Sequence, residues 1–401
     1  MEFPKRKNYI DLVKPLLDDE RIKVIYGPPG CGKTSFLMEI RGELSKRKVL
    51  PSHVVYLNLS DRANGGWRSL HKELRSHIRD GKRYYFLLDQ IGSVEDFQEA
   101  LLSLKDNYIC SIFITDSDSE LMSRIAGGLR ESDCVEFFLN TLSWDEASSL
   151  YKNANVVLAG ASPEDDYLFY GGLPERFLRD EDPRIFLPKL LRSVLYEEIY
   201  QKHRYLNLKA FYEATSLIFS SCGHLYSGEK ISKALKRKRI SVDRTTVDRY
   251  VSYLLSTFLL REIVPECETG LSRNRGMRMF YAVDNGLLFA SGCNDVASYI
   301  KNALFNHILL EGYEVSYLKT YRGAIDFRVK SGGKQALVVA CPYISNLDDE
   351  EKKSLISRFG PVQSLCPKYI VSLDKIDYSF MGMININLFD FLSGKVQLVL
   401  S

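Results

Sequence analysis

Gly27-Pro28-Pro29-Gly30-Cys31-Gly32-Lys33-Thr34 fits, at every fixed position, the pattern G-x-x-x-x-G-K-[ST] of a loop that wraps a polyphosphate. The flanks agree with it. Ile22-Lys23-Val24-Ile25-Tyr26 is an apolar run that reads as a buried strand entering the loop, and Ser35-Phe36-Leu37-Met38-Glu39-Ile40 reads as the helix leaving it. Glycines let the backbone turn its N–H groups inward as an anion nest, and the positive end of the helix dipole adds to that field. On this reading Gly27, Pro28, Pro29, Gly30, Cys31, Gly32 and Ser35 form the cradle. Lys33 reaches the β- and γ-phosphates, and the Thr34 hydroxyl ligates Mg²⁺. The expected cofactors are ATP and Mg²⁺, with no guanine-reading motif in the chain.

Outward from the loop, apolar runs alternate with helical patterns to about residue 145. The segments 53–59, 83–89, 108–115 and 134–139 are continuous enough to be strands buried on both faces, which predicts a parallel sheet with helices on each side. In such sheets ligands bind at the carboxyl ends of the strands. Asp89 ends one strand, where an acid would hold Mg²⁺ together with Thr34. Gln90 follows at the place of a catalytic Glu; it can orient water but cannot take its proton. Thr115 and Ser117 end the next strand and read either as γ-phosphate sensors or as turn residues bonded to backbone. Arg124 and Arg130 are candidates for transition-state charge, in cis or toward a neighbour.

The chain of 401 residues is too long for one ordinary core, and hydrophobic (45%) and charged (26%) fractions are those of a globular protein. A net charge of +3 neither demands nor excludes nucleic acid. Eight scattered cysteines without a C-x-x-C pair predict reduced thiols in a cytoplasmic protein. The basic N-terminus has no apolar segment behind it, so no signal peptide is expected. No run reaches the roughly 18 apolar residues of a membrane span.

The pattern changes past residue 204. Segments 208–221, 227–235 and 242–258 read as three helices, and 261–278 as a wing of two strands. That is the order of a winged helix-turn-helix, whose last helix can enter a DNA major groove. Residues 226–278 hold twelve Lys or Arg against six Asp or Glu. Lys236, Arg237, Lys238 and Arg239 precede the candidate recognition helix, and Arg244, Thr245 and Arg249 lie near its start, where phosphates and base edges would be met. A solvated basic loop on a packing module is the competing reading.

Several segments together resemble the bacterial and archaeal AAA-type ATPases, related to the STAND-like signalling ATPases, that carry a degenerate PD-(D/E)xK nuclease-like C-terminal domain. Besides the loop at 27–34, Leu87-Leu88-Asp89-Gln90-Ile91 resembles the second nucleotide motif, usually Leu-Asp-Glu-Ile, and Ile114-Thr115-Asp116-Ser117 the third. Leu129-Arg130 and Leu142-Ser143-Trp144-Asp145-Glu146 track the connection into a helical lid. Tyr170-Gly171-Gly172-Leu173-Pro174-Glu175 resembles a Gly-Gly-Leu-Pro motif, which implies that Pro174 lies against adenine. Phe280 to Leu287 resembles the lead into the last domain. There Asp326 stands where the nuclease acid would be, but Val338 and Val339 occupy the acid and base places of the following strand and Lys301 that of the helical Glu, so no cleavage is expected. A strand is expected at 396–400.

The expected fold is therefore α/β. It comprises a P-loop NTPase core (1–147), a helical lid (148–203), a winged-helix module (204–279) and an inactive α/β restriction-endonuclease-like domain (280–401). The expected activity is an ATP-driven switch acting on DNA or a protein partner, or through self-association. A nucleotide-binding scaffold without turnover is the alternative, and an ATP-assisted nuclease a third.

Overall fold

The computed structural model describes residues 5–60, 66–119, 131–152, 156–203, 205–267, 278–362 and 365–401. The chain divides into two compact units, Met1–Thr141 with Ser256–Phe258, and Leu142–Leu255 with Leu259–Ser401. Among the described residues no helix is long and apolar enough to cross a membrane.

The first unit is built on five parallel strands: β1 (Ile22–Tyr26), β2 (Val54–Asn58), β3 (Tyr84–Asp89), β4 (Cys110–Asp116) and β5 (Cys134–Phe138). Their order across the sheet is β2-β3-β4-β1-β5. β3 and β4 are buried along their whole length, which is why both read as unbroken apolar runs. Insertion of β4 between β1 and β3 is the topological point that matters. It aligns Ile25 with Thr115 and Tyr26 with Asp116 on one side, and Leu88 with Ile114 on the other. The carboxyl ends of three strands thus meet at the loop that follows β1. The helix Lys33–Lys46 leaves that loop and buries Phe36, Leu37, Ile40 and Leu44 at helical spacing. Lys23 is fully buried within the sheet, with Nζ donating to Asp19 O (2.7 Å) and Ser111 Oγ (2.6 Å), and burial lowers its pKa to about 8.

In the second unit, one hydrophobic core runs from Leu168 to Leu398. It joins the three segments that the sequence reading separated as lid, middle module and terminal domain. Helices Leu208–Phe219, Gly228–Arg237 and Arg244–Ser256 are followed by β6 (Leu260–Cys267) and β7 (Met279–Ala282), paired antiparallel. The hairpin starts where expected, but its second strand lies at 279–282 rather than before 278. Met279, Phe280, Tyr281 and Ala282 are all buried, and core packing fixes that strand.

β6 also pairs in parallel with β8 (Glu314–Thr320), so the hairpin continues into the C-terminal sheet. Beyond β8 come β9 (Gly323–Ser331), β10 (Lys334–Ala340), β11 (Lys368–Ser372) and β12 (Ile384–Asn387), giving the order β12-β11-β10-β9-β8-β6-β7. β8, β9 and β10 form an antiparallel meander; β11 and β12 add in parallel. The expected strand at 396–400 is absent from this sheet. That segment is tied instead by Ser401 to the backbone of Gln335 and by Val399 to the Tyr369 hydroxyl. The last strand is the apolar/polar alternation Ile384-Asn385-Ile386-Asn387.

Candidate functional site

Loop geometry follows from its glycines and from strand β5. Leu139 donates its N–H to Tyr26 O, bringing the Leu139 carbonyl so close that a Cβ on residue 27 would lie 2.3 Å from it. Gly30 (φ 78°) and Gly32 (φ 98°) take left-handed backbone conformations that L side chains rarely adopt. Gly32 opens the following helix, and Phe36 N–H closes its first turn on Gly32 O. Lys33 is buried, with Nζ donating to Gly27 O (2.8 Å) and Pro28 O (2.9 Å).

Three predicted residues meet directly. Thr34 Oγ1 donates to Asp89 Oδ2 at 2.6 Å, and Thr115 Oγ1 donates to Asp89 Oδ1. Thr115 also accepts the Gln90 N–H at 3.1 Å. Thr115 therefore orients the acid and the residue after it. Gln90 itself is exposed, in left-handed backbone (φ 57°), at the head of a short turn. Ser117 gives its N–H to Asp116 Oδ1. Arg124 and Arg130 lie outside the described residues.

Sequence reasoning passed over three neighbours. Tyr56, on β2, donates its hydroxyl to Asp89 Oδ2 at 3.2 Å; burial and the Asp89 charge push the phenol up. Asp116 ends β4 and is buried, accepting N–H groups from Gly92 (2.6 Å), Ser117 and Asp118. Burial raises its carboxyl above the usual range, against the pull of those N–H groups and of Lys33. Arg6 is almost fully buried; its guanidinium donates to Cys31 O in the loop and to Asn140 O. An arginine within the basic run Lys5-Arg6-Lys7 carries no local signal of this role, because its partners are 25 and 134 residues away.

In the second unit, Pro174 is buried at the start of the helix Pro174–Leu178. The Gly171-Gly172 pair before it has a purpose within its own unit. Asp284 Oδ2 accepts the Gly172 N–H (2.8 Å) while its Oδ1 accepts that of Gly286 (2.7 Å). Gly171 has φ 73°, and a Cβ there would lie 1.8 Å from Asp284 Oδ1. The two motifs quoted from 170–175 and 280–287 are thus halves of one contact.

Lys236, Arg237, Lys238 and Arg239 are exposed, as are Arg244, Thr245 and Arg249. Lys238 pairs with Glu213 at 2.6 Å, and Arg244 lies 3.4 Å from Asp248. Asp326 is buried on β9. Its Oδ1 lies 2.9 Å from Lys301 Nζ, and its Oδ2 accepts the Ala340 N–H at 3.0 Å. Val338 and Val339 are fully buried.

With this geometry in view, comparison with known proteins gives matches in both units. Residues 19–148 match the family model of an AAA domain. A second family model, Domain of unknown function (DUF8612), matches residues 164–295. An uncharacterized protein of Haemophilus influenzae is 25% identical over 335 residues, covering 80% of this chain and 82% of its own. Among solved structures, the Aeropyrum pernix ORC2 protein in ADPNP–ADP complexes is 12% identical, with TM-score 0.40 over 75% of this chain and 91% of that one. The Thermotoga maritima RuvB Holliday junction branch migration motor is 16% identical, with TM-score 0.34 over 64% and 89%. AMPPCP-bound DnaA from Aquifex aeolicus is 19% identical, with TM-score 0.32 over 63% and 88%.

Proposed function

We propose that this chain is an ATP-driven switch: an AAA-type core that binds ATP with Mg²⁺ and hydrolyses it slowly, coupled to a basic module that contacts DNA. One observation carries the reading. The phosphate loop, Thr34, Asp89 and Thr115 converge at the carboxyl ends of β1, β3 and β4 through direct hydrogen bonds. A hydroxyl and a carboxylate 2.6 Å apart are hard oxygen donors, the chemistry that suits Mg²⁺. Thr34 and Asp89 would hold that ion, whose charge would offset the phosphate oxygens. Lys33, freed from the Gly27 and Pro28 carbonyls, neutralises the outer phosphates, and Thr115 keeps Asp89 and the Gln90 backbone in place. Phosphate release from ATP, measured with and without DNA, tests the reading; no release above a Lys33→Ala control contradicts it.

Gln90 favours the alternative of a scaffold with little turnover, since an amide cannot accept the proton of the attacking water. Gln90→Glu is expected to raise kcat by about 10²-fold, the lower end of the roughly 10²–10⁴ range of a positioned base. An unchanged kcat would mean that chemistry is not limiting or that the base lies elsewhere.

The order of helices Leu208–Phe219, Gly228–Arg237 and Arg244–Ser256 with the β6–β7 hairpin supports a winged-helix reading of the middle module. Replacing Lys236, Arg237, Lys238 and Arg239 together by alanine is expected to weaken duplex DNA binding more than tenfold. It should also cut the salt-dependence slope by about 3, nearly one per lost phosphate contact, with Lys238 already engaged by Glu213. A slope equal to the parent's would favour the packing role.

The succession of helix Val296–Leu310, β8, β9, β10, helix Asp349–Ser357 and β11 supports a nuclease-like ancestry for the terminal region. Lys301 supplies a fixed cation to Asp326 where metal chemistry would need further acids. DNA incubated with Mg²⁺ or Mn²⁺ is expected to stay uncut; cleavage abolished by Asp326→Ala would overturn this.

A further inference from the structure

The second unit holds a groove of about 740 Å³ between residues 202–203 and 205–210 on one side and 241–253, which include much of the helix Arg244–Ser256, on the other. Its lining is aromatic and basic. Tyr205 stands fully exposed at 106% of its reference area. The His203 ring stacks on Tyr253 with centroids 4.0 Å apart and planes 17° from parallel, making a double-thickness plate. Lys202 and Arg249 supply exposed positive charge. Two acids are nearby. Asp243 caps the helix by accepting the Thr246 N–H, and Glu198 lies 3.8 Å from Lys202. Arg249 belongs both to the groove and to the basic face of the candidate recognition helix, so the two surfaces adjoin.

A scattered exposed tyrosine needs no explanation. A tyrosine without cover beside a stacked His–Tyr pair and two cations is a different matter. Aromatic faces carry successive unpaired bases, and a positive groove follows their backbone; stacking tolerates any sequence because every base has a π-face. The volume lies within the roughly 300–1,000 Å³ of pockets for small ligands. An apolar peptide would use the rings but gain nothing from Lys202 and Arg249.

We propose that this groove binds a short run of single-stranded DNA, with bases on Tyr205 and on the His203–Tyr253 plate and phosphates on Lys202 and Arg249. The inference rests on the reading of the middle module as a DNA-contacting one and adds the strand state it takes. A duplex contacts the basic run, while an unpaired end or bubble enters the groove.

The test measures fluorescence anisotropy of labelled oligo(dT) and of a blunt duplex against the full chain at low salt. Tyr205→Ala is expected to weaken oligo(dT) binding roughly tenfold while changing duplex binding less than about twofold, and Tyr205→Trp to restore it. Because Tyr205 is fully exposed, its removal leaves the core intact. The four-alanine variant at 236–239 separates this claim from the helix reading. If that variant binds duplex like the parent while Tyr205→Ala still loses oligo(dT), the groove stands and the recognition-helix assignment falls. If Tyr205→Ala binds oligo(dT) like the parent, or weakens both DNAs equally, the groove proposal is wrong. A parent chain that ignores oligo(dT) refutes it outright and leaves the groove as a protein-contact surface.

Discussion

Lys33→Ala is expected to abolish ATP hydrolysis, lowering kcat/KM by at least the roughly 10²–10³-fold seen when one preorganised donor to a developing charge is removed. The effect is electrostatic. Lys33 is 9% exposed, so its ammonium acts where water screens little, and its present partners are carbonyls of the phosphate loop itself. A triphosphate offers stronger acceptors than Gly27 O and Pro28 O, because charge-assisted hydrogen bonds are roughly twice as strong as neutral ones. Alanine removes that exchange and leaves the two carbonyls without their donor. Melting temperature without nucleotide serves as the control. It should move by only a few degrees, whereas the protection given by MgATP in the parent should vanish. A variant that hydrolyses ATP at the parent rate would place the nucleotide elsewhere.

Arg176→Met is expected to destabilise the second unit by about 3–5 kcal/mol, the usual cost of breaking a buried ion pair from one side. Asp166 and Arg176 have side chains 0% and 1% exposed and lie 2.6 Å apart. The Asp166 carboxylate also accepts from the Tyr151 hydroxyl (2.7 Å) and from the N–H groups of Ala159 and Gly160. Arg176 donates to Gly171 O and lies over the Phe177 ring. The carboxylate is fully buried and held by several donors, so removing the cation strands a desolvated charge. At about 2–4 °C per kcal/mol for a unit of this size, the melting temperature should fall by roughly 10 °C. The double variant Asp166→Leu with Arg176→Met should cost less than the single one, since no charge is left unpaired. Equal melting of Arg176→Met and parent would contradict the assignment of this network as structural.

How much could be read beforehand depends on how local each signal is. The loop at 27–34 and the strands at 84–89 and 110–116 lie within a residue or two of their expected places, because contiguous apolar runs and glycine spacing are properties of short windows. Asp89 and Thr115 were legible as candidates for the same reason: each closes an apolar run. Tyr56, Asp116 and Arg6 were not, since their contacts exist only once β2 and β4 flank β3 and the N-terminal segment reaches Cys31. Asp116 follows Thr115, yet nothing in its neighbours says that Gly92 will supply its hydrogen bond. The strand expected at 396–400 shows the opposite error. Val396, Leu398 and Leu400 alternate as a strand would, but the sheet edge was taken by the shorter run at 384–387, which pairs with β11. The segments read as separate lid, module and terminal domain share one core, because apolar periodicity reports that a face is buried and not which neighbour buries it.

The most direct measurement is a structure of the chain with Mg²⁺ and a non-hydrolysable ATP analogue. The account predicts phosphates inside the loop at residues 27–34, Lys33 Nζ turned from the Gly27 and Pro28 carbonyls onto them, and the metal beside Thr34 and Asp89. Analogue bound at any other place, or a loop unchanged with Lys33 still on those two carbonyls at saturating analogue, would contradict it.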